Sequence, residues 1–323
     1  MQGKGIVLGL LCGLFVWVAC QRPTSTATVQ EVTKETEVFA IEGTDTLRLD
    51  RYVGFNANKE KQPVVLFAFG GGFRTGDRAS ADYRAYFEFL ARQGYTVIST
   101  DYRTTLKHLD PQQVKSPLDF MQALQVAIQT AVSDLYTATR YVLDHEEAWQ
   151  IDPQRIVLSG SSAGAISVLQ AEYQLCHAEE GIPLLPKEFR YAGVISFAGA
   201  IADMAAPTWP KRPCPILLFH GDADRTVPYR QAALPDVGGL WGSASIAESL
   251  AQAGASYAFY RVGKAGHEIS STPMQTQLYD ILSFLDRQVM HQEPLVIQTA
   301  IHAPCDSLQE AAFTLEDYLK ENL

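Results

Sequence analysis

Residues 155–164 read RIVLSGSSAG, in which Gly160, Ser162 and Gly164 form the pattern G-x-S-x-G. The apolar run before the pattern is typical of a buried strand, and the residues after it carry apolar side chains at helical spacing. A strand, a tight turn and a helix are the context in which this pattern exposes a serine hydroxyl at a strand end. The first N–H groups of the helix favour negative charge there. Ser162 is therefore a candidate nucleophile; the alternative is a small-residue turn without chemistry.

Apolar strands and amphipathic helices alternate on both sides of this stretch. Strands are predicted at residues 64–69, 96–100, 155–159, 193–197, 216–219 and 257–262. Helices are predicted at residues 82–92, 117–142, 163–175, 243–253 and 273–287. The alternation predicts an α/β fold with a mostly parallel central sheet and helices on both faces. Residues 37–41 and 46–52 indicate an antiparallel hairpin that extends one edge of the sheet.

The composition fits one large globular domain. Of the 323 residues, 47% are hydrophobic and 19% are charged, which allows a sizeable core. The net charge of −10 without a basic cluster disfavours a nucleic-acid partner. We assign residues 36–290 to the α/β domain. Residues 291–323 form a C-terminal extension, in which apolar residues between Leu308 and Leu319 predict a helix that packs on the domain.

The N-terminus has the features of an export signal. Lys4 precedes an apolar stretch at residues 5–19, which is shorter than the ~20 residues of a membrane span. Ala19-Cys20 resembles a bacterial lipobox, although Trp17 departs from the usual aliphatic residue. We expect a signal peptide at 1–19, a lipidated Cys20 and a flexible tether at 20–35. The protein would then be exported across the inner membrane and anchored in the cell envelope; ordinary secretion and an uncleaved anchor are the alternatives.

Three cysteines remain once Cys12 and Cys20 are assigned to the leader and the anchor. They are Cys176, Cys214 and Cys305. Because their number is odd, at least one is expected to stay a free thiol. No C-x-x-C spacing indicates a metal site.

A serine nucleophile needs a base, and the base needs an orienting carboxylate. Both follow later strands, in the order Ser…Asp…His that accompanies G-x-S-x-G. The loop after residues 216–219 carries Asp222 and Asp224, and the glycine-bearing loop after the last strand carries His267. A loop histidine without a catalytic role is the alternative for His267 alone.

The sequence Phe69-Gly70-Gly71-Gly72-Phe73 leaves a predicted buried strand. Three glycines let the backbone approach a substrate carbonyl and direct N–H groups at it. A flexible turn is the alternative, and a phosphate loop is disfavoured because neither G-x-G-x-x-G nor G-K-[ST] is present. The expected oxyanion donors are the N–H groups of Gly71, Gly72 and Ala163.

Together these stretches resemble the α/β-hydrolases of the carboxylesterase group. The matching segments span residues 37–287 and include the three-glycine stretch, residues 101–103 and 151–155, G-x-S-x-G, residues 220–228 and Gly266-His267. The family pattern H-G-x-x-D-x-x-V-P implies that the acid is Asp224 and not Asp222. Phe69 departs from the histidine found there in many relatives. The resemblance implies no metal or organic cofactor.

These observations predict a serine hydrolase of carboxylic esters that works through Ser162, His267, Asp224 and an acyl-enzyme. A serine peptidase on the same fold and an inactive binding lipoprotein are the alternatives. Residues 198–215 are too few for a helical lid, so we expect an open site with Phe73, Tyr102 and Trp209 or Trp241 as substrate-binding walls. Such a site predicts short-acyl esters as small-molecule substrates, and aromatic walls together with an envelope location favour an acylated, glycan-linked substrate.

Overall fold

The computed structural model describes residues 31–55, 61–110, 112, 114–178, 181–234, 237–301 and 314–322. Its strands are β1 (Thr33–Glu42), β2 (Asp45–Val53), β3 (Gln62–Ala68), β4 (Thr96–Thr100), β5 (Ile151–Ser161), β6 (Gly193–Phe197), β7 (Ala200–Asp203), β8 (Ile216–Gly221), β9 (Gln231–Leu234), β10 (Gly238–Gly242), β11 (Tyr257–Val262) and β12 (Val296–Ile301). Its α-helices are α1 (Ala81–Arg92), α2 (Pro117–Asp144), α3 (Ala163–His177), α4 (Ser243–Gln252), α5 (Pro273–Thr276), α6 (Leu278–Phe284) and α7 (Leu315–Asn322).

Within these ranges, nine strands form one sheet in the order β1-β2-β4-β3-β5-β6-β8-β11-β12. The pairs β1–β2 and β2–β4 are antiparallel, and every later pair is parallel. The central strands β4, β6 and β8 are buried along their whole length, as continuous apolar runs in a two-sided sheet require. The predicted parallel sheet and its antiparallel N-terminal hairpin are confirmed.

The parallel connections cross over with the same hand, and strand addition changes direction after β4, so helices lie on both faces of the sheet. The α1 residue Tyr86 meets Phe197 of β6 edge-to-face at 5.8 Å between ring centroids. The longest helix, α2, begins as predicted, with Pro117 in its first turn and the Ser116 hydroxyl accepting a hydrogen bond from the backbone N–H of Asp119 at 3.2 Å. It packs against α3, where the Tyr136 hydroxyl donates to the Ala171 carbonyl at 2.8 Å.

A second, three-stranded sheet has the order β7-β10-β9. Both of its pairings are antiparallel: β9 and β10 form a local hairpin, from Leu234 opposite Gly238 to Gln231 opposite Trp241, whereas β7 pairs with β10 from a distant part of the chain, with Asp203 opposite Gly239. It was not predicted, because β7 and β9 have only four residues each. The connection at 198–215 contains β7 and no helix, in agreement with the absence of a helical lid.

Both ends of the assigned domain need correction. Strand β1 begins at Thr33 and pairs with Val53, so the tether cannot extend to residue 35. Strand β12 lies beyond residue 290 but pairs in parallel with β11, from Tyr257 opposite Val296 to Val262 opposite Ile301. The sheet therefore includes residues of the presumed extension, because an apolar edge strand is stabilised by backbone pairing with its neighbour.

Several predictions lie outside the described residues. These are the signal peptide, lipidation at Cys20, most of the tether, Cys12 and Cys305. The predicted C-terminal helix is described only from Leu315 onward. Cys176 and Cys214 are free thiols. In the part of the chain that the structure describes, no helix has the length and apolarity needed to cross a membrane.

Candidate active site

The turn after β5 holds Ser162 in an unusual backbone conformation, with φ 52° and ψ −117°. A positive φ is costly for a residue with a Cβ and persists only where the surroundings enforce it. The flanking glycines are required by close contacts. A Cβ at Gly160 would lie 2.4 Å from the Gly164 carbonyl oxygen, and one at Gly164 would lie 2.1 Å from the Ala68 oxygen. The packing of α3 against β3 and β5 thus forces the serine to the apex of the turn.

Three side chains predicted from separate loops form one hydrogen-bonded line. The Ser162 hydroxyl lies 2.8 Å from His267 Nε2, and His267 Nδ1 lies 2.8 Å from Asp224 Oδ2. A proton on Nδ1 satisfies both bonds, with Nε2 free to accept from the serine. This arrangement can remove a proton from the hydroxyl as it attacks and stabilise the resulting imidazolium.

The Asp224 carboxylate is held from both sides. Its Oδ1 accepts hydrogen bonds from the backbone N–H groups of Thr226 and Val227, at 2.8 and 3.0 Å. His220 Nε2 lies 3.4 Å from the same Oδ2 that His267 contacts. Burial alone would raise the pKa of Asp224, but the hydrogen bonds from His220 and His267 outweigh it and hold this pKa below its usual range. Asp224 is therefore a carboxylate at neutral pH.

The neighbouring Asp222 has a different role. Its Oδ2 contacts the Arg261 guanidinium at 2.8 Å, and its Oδ1 accepts from the Lys264 backbone N–H at 2.6 Å. These contacts fix the start of the loop that leads to His267. The structure therefore brings Asp224, and not Asp222, to the imidazole, in agreement with the register of the family pattern.

The glycine loop after β3 lies against the serine turn. A Cβ at Gly70 would meet Ser162 Cβ at 3.2 Å, a contact so tight that the glycine loop or the serine turn would have to shift by a few tenths of an ångström. Gly71 and Gly72 have φ values of 134° and 61°, and the Gly71 carbonyl accepts from the Thr75 N–H at 3.0 Å. Among the described residues, the N–H groups of Gly71, Gly72 and Ala163 have no acceptor. They remain available to stabilise an oxyanion.

These groups line a cavity of about 1030 Å³ at the carboxyl ends of the strands. Of the predicted wall residues, Phe73 lines it, whereas Tyr102, Trp209 and Trp241 do not. The lining also includes residues that the sequence did not reveal, namely Tyr83, Leu106, Phe120, Leu124, Ile166, Val227, Tyr318, Glu321 and Asn322. The structure therefore brings the predicted triad, the oxyanion donors and Phe73 together, and it separates the remaining predicted walls.

The prediction that Tyr102 and Trp241 form substrate-binding walls is wrong, for a different physical reason in each case. Tyr102 is 3% exposed; its ring stacks on Phe69 at 4.4 Å and its hydroxyl donates to the Phe69 carbonyl at 2.8 Å. It therefore supports the glycine loop from the interior. Trp241 belongs to β10 of the small sheet, where its indole N–H donates to the Asp203 carbonyl at 3.3 Å. The alternative, Trp209, donates to Ser249 Oγ at 2.9 Å.

His220 was part of the recognised pattern, but its role became visible only in the structure. It is fully buried, and its Nδ1 lies 2.7 Å from Ser243 Oγ. Nε2 lies 3.2 Å from the Val227 carbonyl, so an Nε2–H tautomer donates there and faces Asp224. The sequence signal for this role was the fixed spacing between His220 and Asp224 in the H-G-x-x-D pattern. In the described ranges, no group of three or more potential ligands could hold a metal ion.

Comparison with known proteins gives a consistent result. The BD-FAE family model matches residues 49–208. The chain is 32% identical over 110 residues to Esterase B1 of Culex pipiens and 30% identical over 103 residues to Lipase 2 of Moraxella sp. (strain TA144). These matches cover 33% and 32% of this chain. The chain spans only 18% and 19% of the length of these two curated relatives.

Solved structures share the fold over a larger part of the chain. The apo form of Thermogutta terrifontis esterase 2 has a TM-score of 0.58 at 22% identity and covers 85% of this chain and 99% of its own. The same esterase phosphorylated by paraoxon has a TM-score of 0.57 at 23% identity, with 79% and 94% covered. Its butyrate-bound form has a TM-score of 0.56 at 22% identity, with 78% and 93% covered. The chain thus has the α/β-hydrolase fold, and over residues 49–208 it is similar to the BD-FAE family.

Proposed function

We propose that this chain is a serine hydrolase of carboxylic esters. The observation that carries the proposal is the line from Ser162 through His267 to Asp224, beside three N–H groups that have no acceptor among the described residues. Sequence similarity to a curated esterase and a curated lipase supports the same chemistry. The fold shared with a solved esterase is consistent with it. A peptidase on this fold stays the second candidate, since a triad alone does not choose between ester and amide.

The proposed reaction has two halves. His267 Nε2 takes the proton of Ser162 as its Oγ forms a bond to the ester carbonyl carbon, and the N–H groups of Gly71, Gly72 and Ala163 hold the oxyanion. The carbon–oxygen bond to the alcohol then breaks, and His267 returns the proton to the leaving oxygen. Water then gives a proton to the same imidazole and attacks the acyl carbon. The bond between that carbon and Ser162 Oγ breaks, the imidazolium returns the proton to Oγ, and the acid leaves.

The cavity favours short acyl groups. The apolar side chains that line it, among them Leu106, Phe120 and Leu124, are at least 95% buried, so they leave little apolar surface for a long chain. Residues 198–215 contain no helix that would cover it. The similar esterase 2 has been solved with propionate and with butyrate. We therefore propose acetyl to butyryl esters as substrates.

The alcohol half of the substrate is proposed to be rich in hydroxyl groups. Asp77, Ser80 and Asp82 line the cavity beside the glycine loop, and their oxygens can pair with hydroxyl hydrogens. This favours an acylated carbohydrate. We also retain the proposal that Cys20 is lipidated and that the chain acts in a bacterial cell envelope, where glycan-linked esters are accessible.

The test is hydrolysis of p-nitrophenyl esters from acetate to decanoate, together with peptide p-nitroanilides. We expect ester cleavage that peaks at butyrate or below and is lost in Ser162→Ala. Ser161→Ala is the matched control, because the Ser161 hydroxyl donates to the Ser270 carbonyl at 2.8 Å and is not in the triad. Cleavage of anilides alone would support the peptidase, and full ester activity in Ser162→Ala would overturn the proposal.

A further inference from the structure

The C-terminal helix α7 forms part of the catalytic cavity. Tyr318 lines the cavity and is 4% exposed, and its ring lies 6.2 Å from the ring of Phe120 on α2. Asn322 lines it as well.

Three polar contacts hold α7 to the loop that carries the triad acid. Arg225 pairs with Asp317 at 3.0 Å and with Glu321 at 3.8 Å, and Asn322 Nδ2 donates to the Thr226 carbonyl at 3.1 Å. The N–H of the same Thr226 donates to Asp224 Oδ1. The helix is thus fixed relative to the catalytic line, so its buried face has a defined position beside the reacting centre.

The residues that line the cavity fall into two chemical groups. The apolar side is formed by Leu106, Phe120, Leu124, Ile166 and Tyr318, with the Phe120 and Tyr318 rings 6.2 Å apart. The polar lining residues include Ser80, Asp82, Ser270, Ser271 and the α7 residues Glu321 and Asn322. An ester with an apolar acyl group and a hydroxylated alcohol matches this division.

The orientation of the ester follows from the proton transfer. His267 must reach the leaving oxygen, so the alcohol lies beside His267 and the lining residues three and four positions after it, Ser270 and Ser271. The acyl group then lies on the apolar side. Tyr318 is the side chain that the C-terminal helix contributes to this side.

We propose that Tyr318 is a specificity-determining residue whose ring closes the apolar side of the cavity and limits the length of the acyl group. This inference rests on the proposed esterase function. Tyr318 acts by occupying volume, since its ring stands where further methylenes of a longer chain would lie. A smaller side chain at this position extends the cavity along α2.

The experiment compares kcat/KM for p-nitrophenyl butyrate and hexanoate. Each methylene that enters apolar surroundings is worth about fourfold in binding, and hexanoate has two more methylenes than butyrate, so Tyr318→Ala should raise the hexanoate-to-butyrate ratio by up to roughly fifteenfold. Tyr318→Leu should raise it less, and Tyr318→Phe, which keeps the ring, should leave it unchanged. Melting temperatures identify the variants that fold; if Tyr318→Ala does not fold, Tyr318→Leu decides.

The matched control is Leu319→Ala. Leu319 is buried on the same helix but does not line the cavity, so its truncation weakens α7 without removing the wall. An unchanged ratio in folded Tyr318→Ala and Tyr318→Leu, or an equal rise in Leu319→Ala, would overturn the inference and leave the esterase proposal intact. A wild-type chain that cleaves no ester would overturn both.

Discussion

Replacement of Asp224 by asparagine tests the catalytic line in detail. The backbone N–H groups of Thr226 and Val227 both donate to Oδ1, so an asparagine must keep its carbonyl oxygen there. Its amide nitrogen then faces His267 Nδ1 in place of Oδ2. Since that amide can only donate, Nδ1 must accept, and the imidazole proton moves to Nε2. The Nε2 atom can then no longer accept a proton from the serine.

The expected loss in kcat is about 10⁴, the size typical of a serine triad whose histidine is held in the wrong tautomer. This corresponds to roughly 5 kcal/mol of transition-state stabilisation at about 1.4 kcal/mol per factor of ten. The assay is turnover of p-nitrophenyl acetate under saturating conditions, with a melting curve for each variant. Because the substitution is isosteric, Asp224→Asn should stay folded.

Asp222→Asn is the matched control, two residues away in the same loop. Its side chain pairs with Arg261 and with the backbone of Lys264, not with the imidazole. We expect a loss of roughly 1–3 kcal/mol in the free energy of unfolding and a kcat close to that of the wild type. A large loss of kcat in Asp222→Asn together with a small one in Asp224→Asn would refute the assignment of the acid.

Three further outcomes are expected. Gly71→Ala should lower kcat for the same ester at least about 10²-fold. The new Cβ would lie 2.2 Å from the Thr75 carbonyl oxygen and would displace the loop that holds the oxyanion donors. Near-normal turnover would contradict this expectation. Burial raises the pKa of Glu172, so the melting temperature should fall as the pH rises above about 4.5. Glu172→Gln should reduce this fall between about pH 5 and pH 7. An unchanged fall in the variant would exclude Glu172 as its cause. Cys20→Ser should move the protein from the membrane fraction to the soluble fraction or block its processing, as fractionation would detect, whereas a soluble wild type would refute the anchor.

The sequence was sufficient for the parts of the fold that depend on local patterns. Continuous apolar runs identified the buried parallel strands, and the glycines around Ser162 reflect close backbone contacts that admit no other residue. The line from Ser162 to Asp224 was also predictable, because the carboxyl ends of parallel strands meet at one edge of the sheet. The choice of Asp224 over Asp222 as the acid relied on the family pattern, because both residues lie in the loop after the strand.

The remaining features depend on contacts between distant residues. Strand β12 alternates between exposed and half-buried positions, a weak signal that becomes a strand only through pairing with β11. Tyr102 could not be placed by its type, because an aromatic ring next to a glycine loop can face the substrate or support the loop. The position of Tyr318 in the cavity depends on the contacts of α7 with Phe120 of α2 and with Thr226 in the loop after β8, and no local pattern encodes these contacts.

The most direct test of the proposed chemistry is the site of covalent labelling by a fluorophosphonate. Trypsin releases residues 156–187 as one peptide that contains both Ser161 and Ser162, so fragmentation in the mass spectrometer must locate the adduct. The proposed mechanism predicts a single adduct on Ser162, complete loss of ester hydrolysis as labelling saturates, and no labelling in Ser162→Ala. An adduct on Ser161, or an unlabelled protein that still hydrolyses esters, would contradict it.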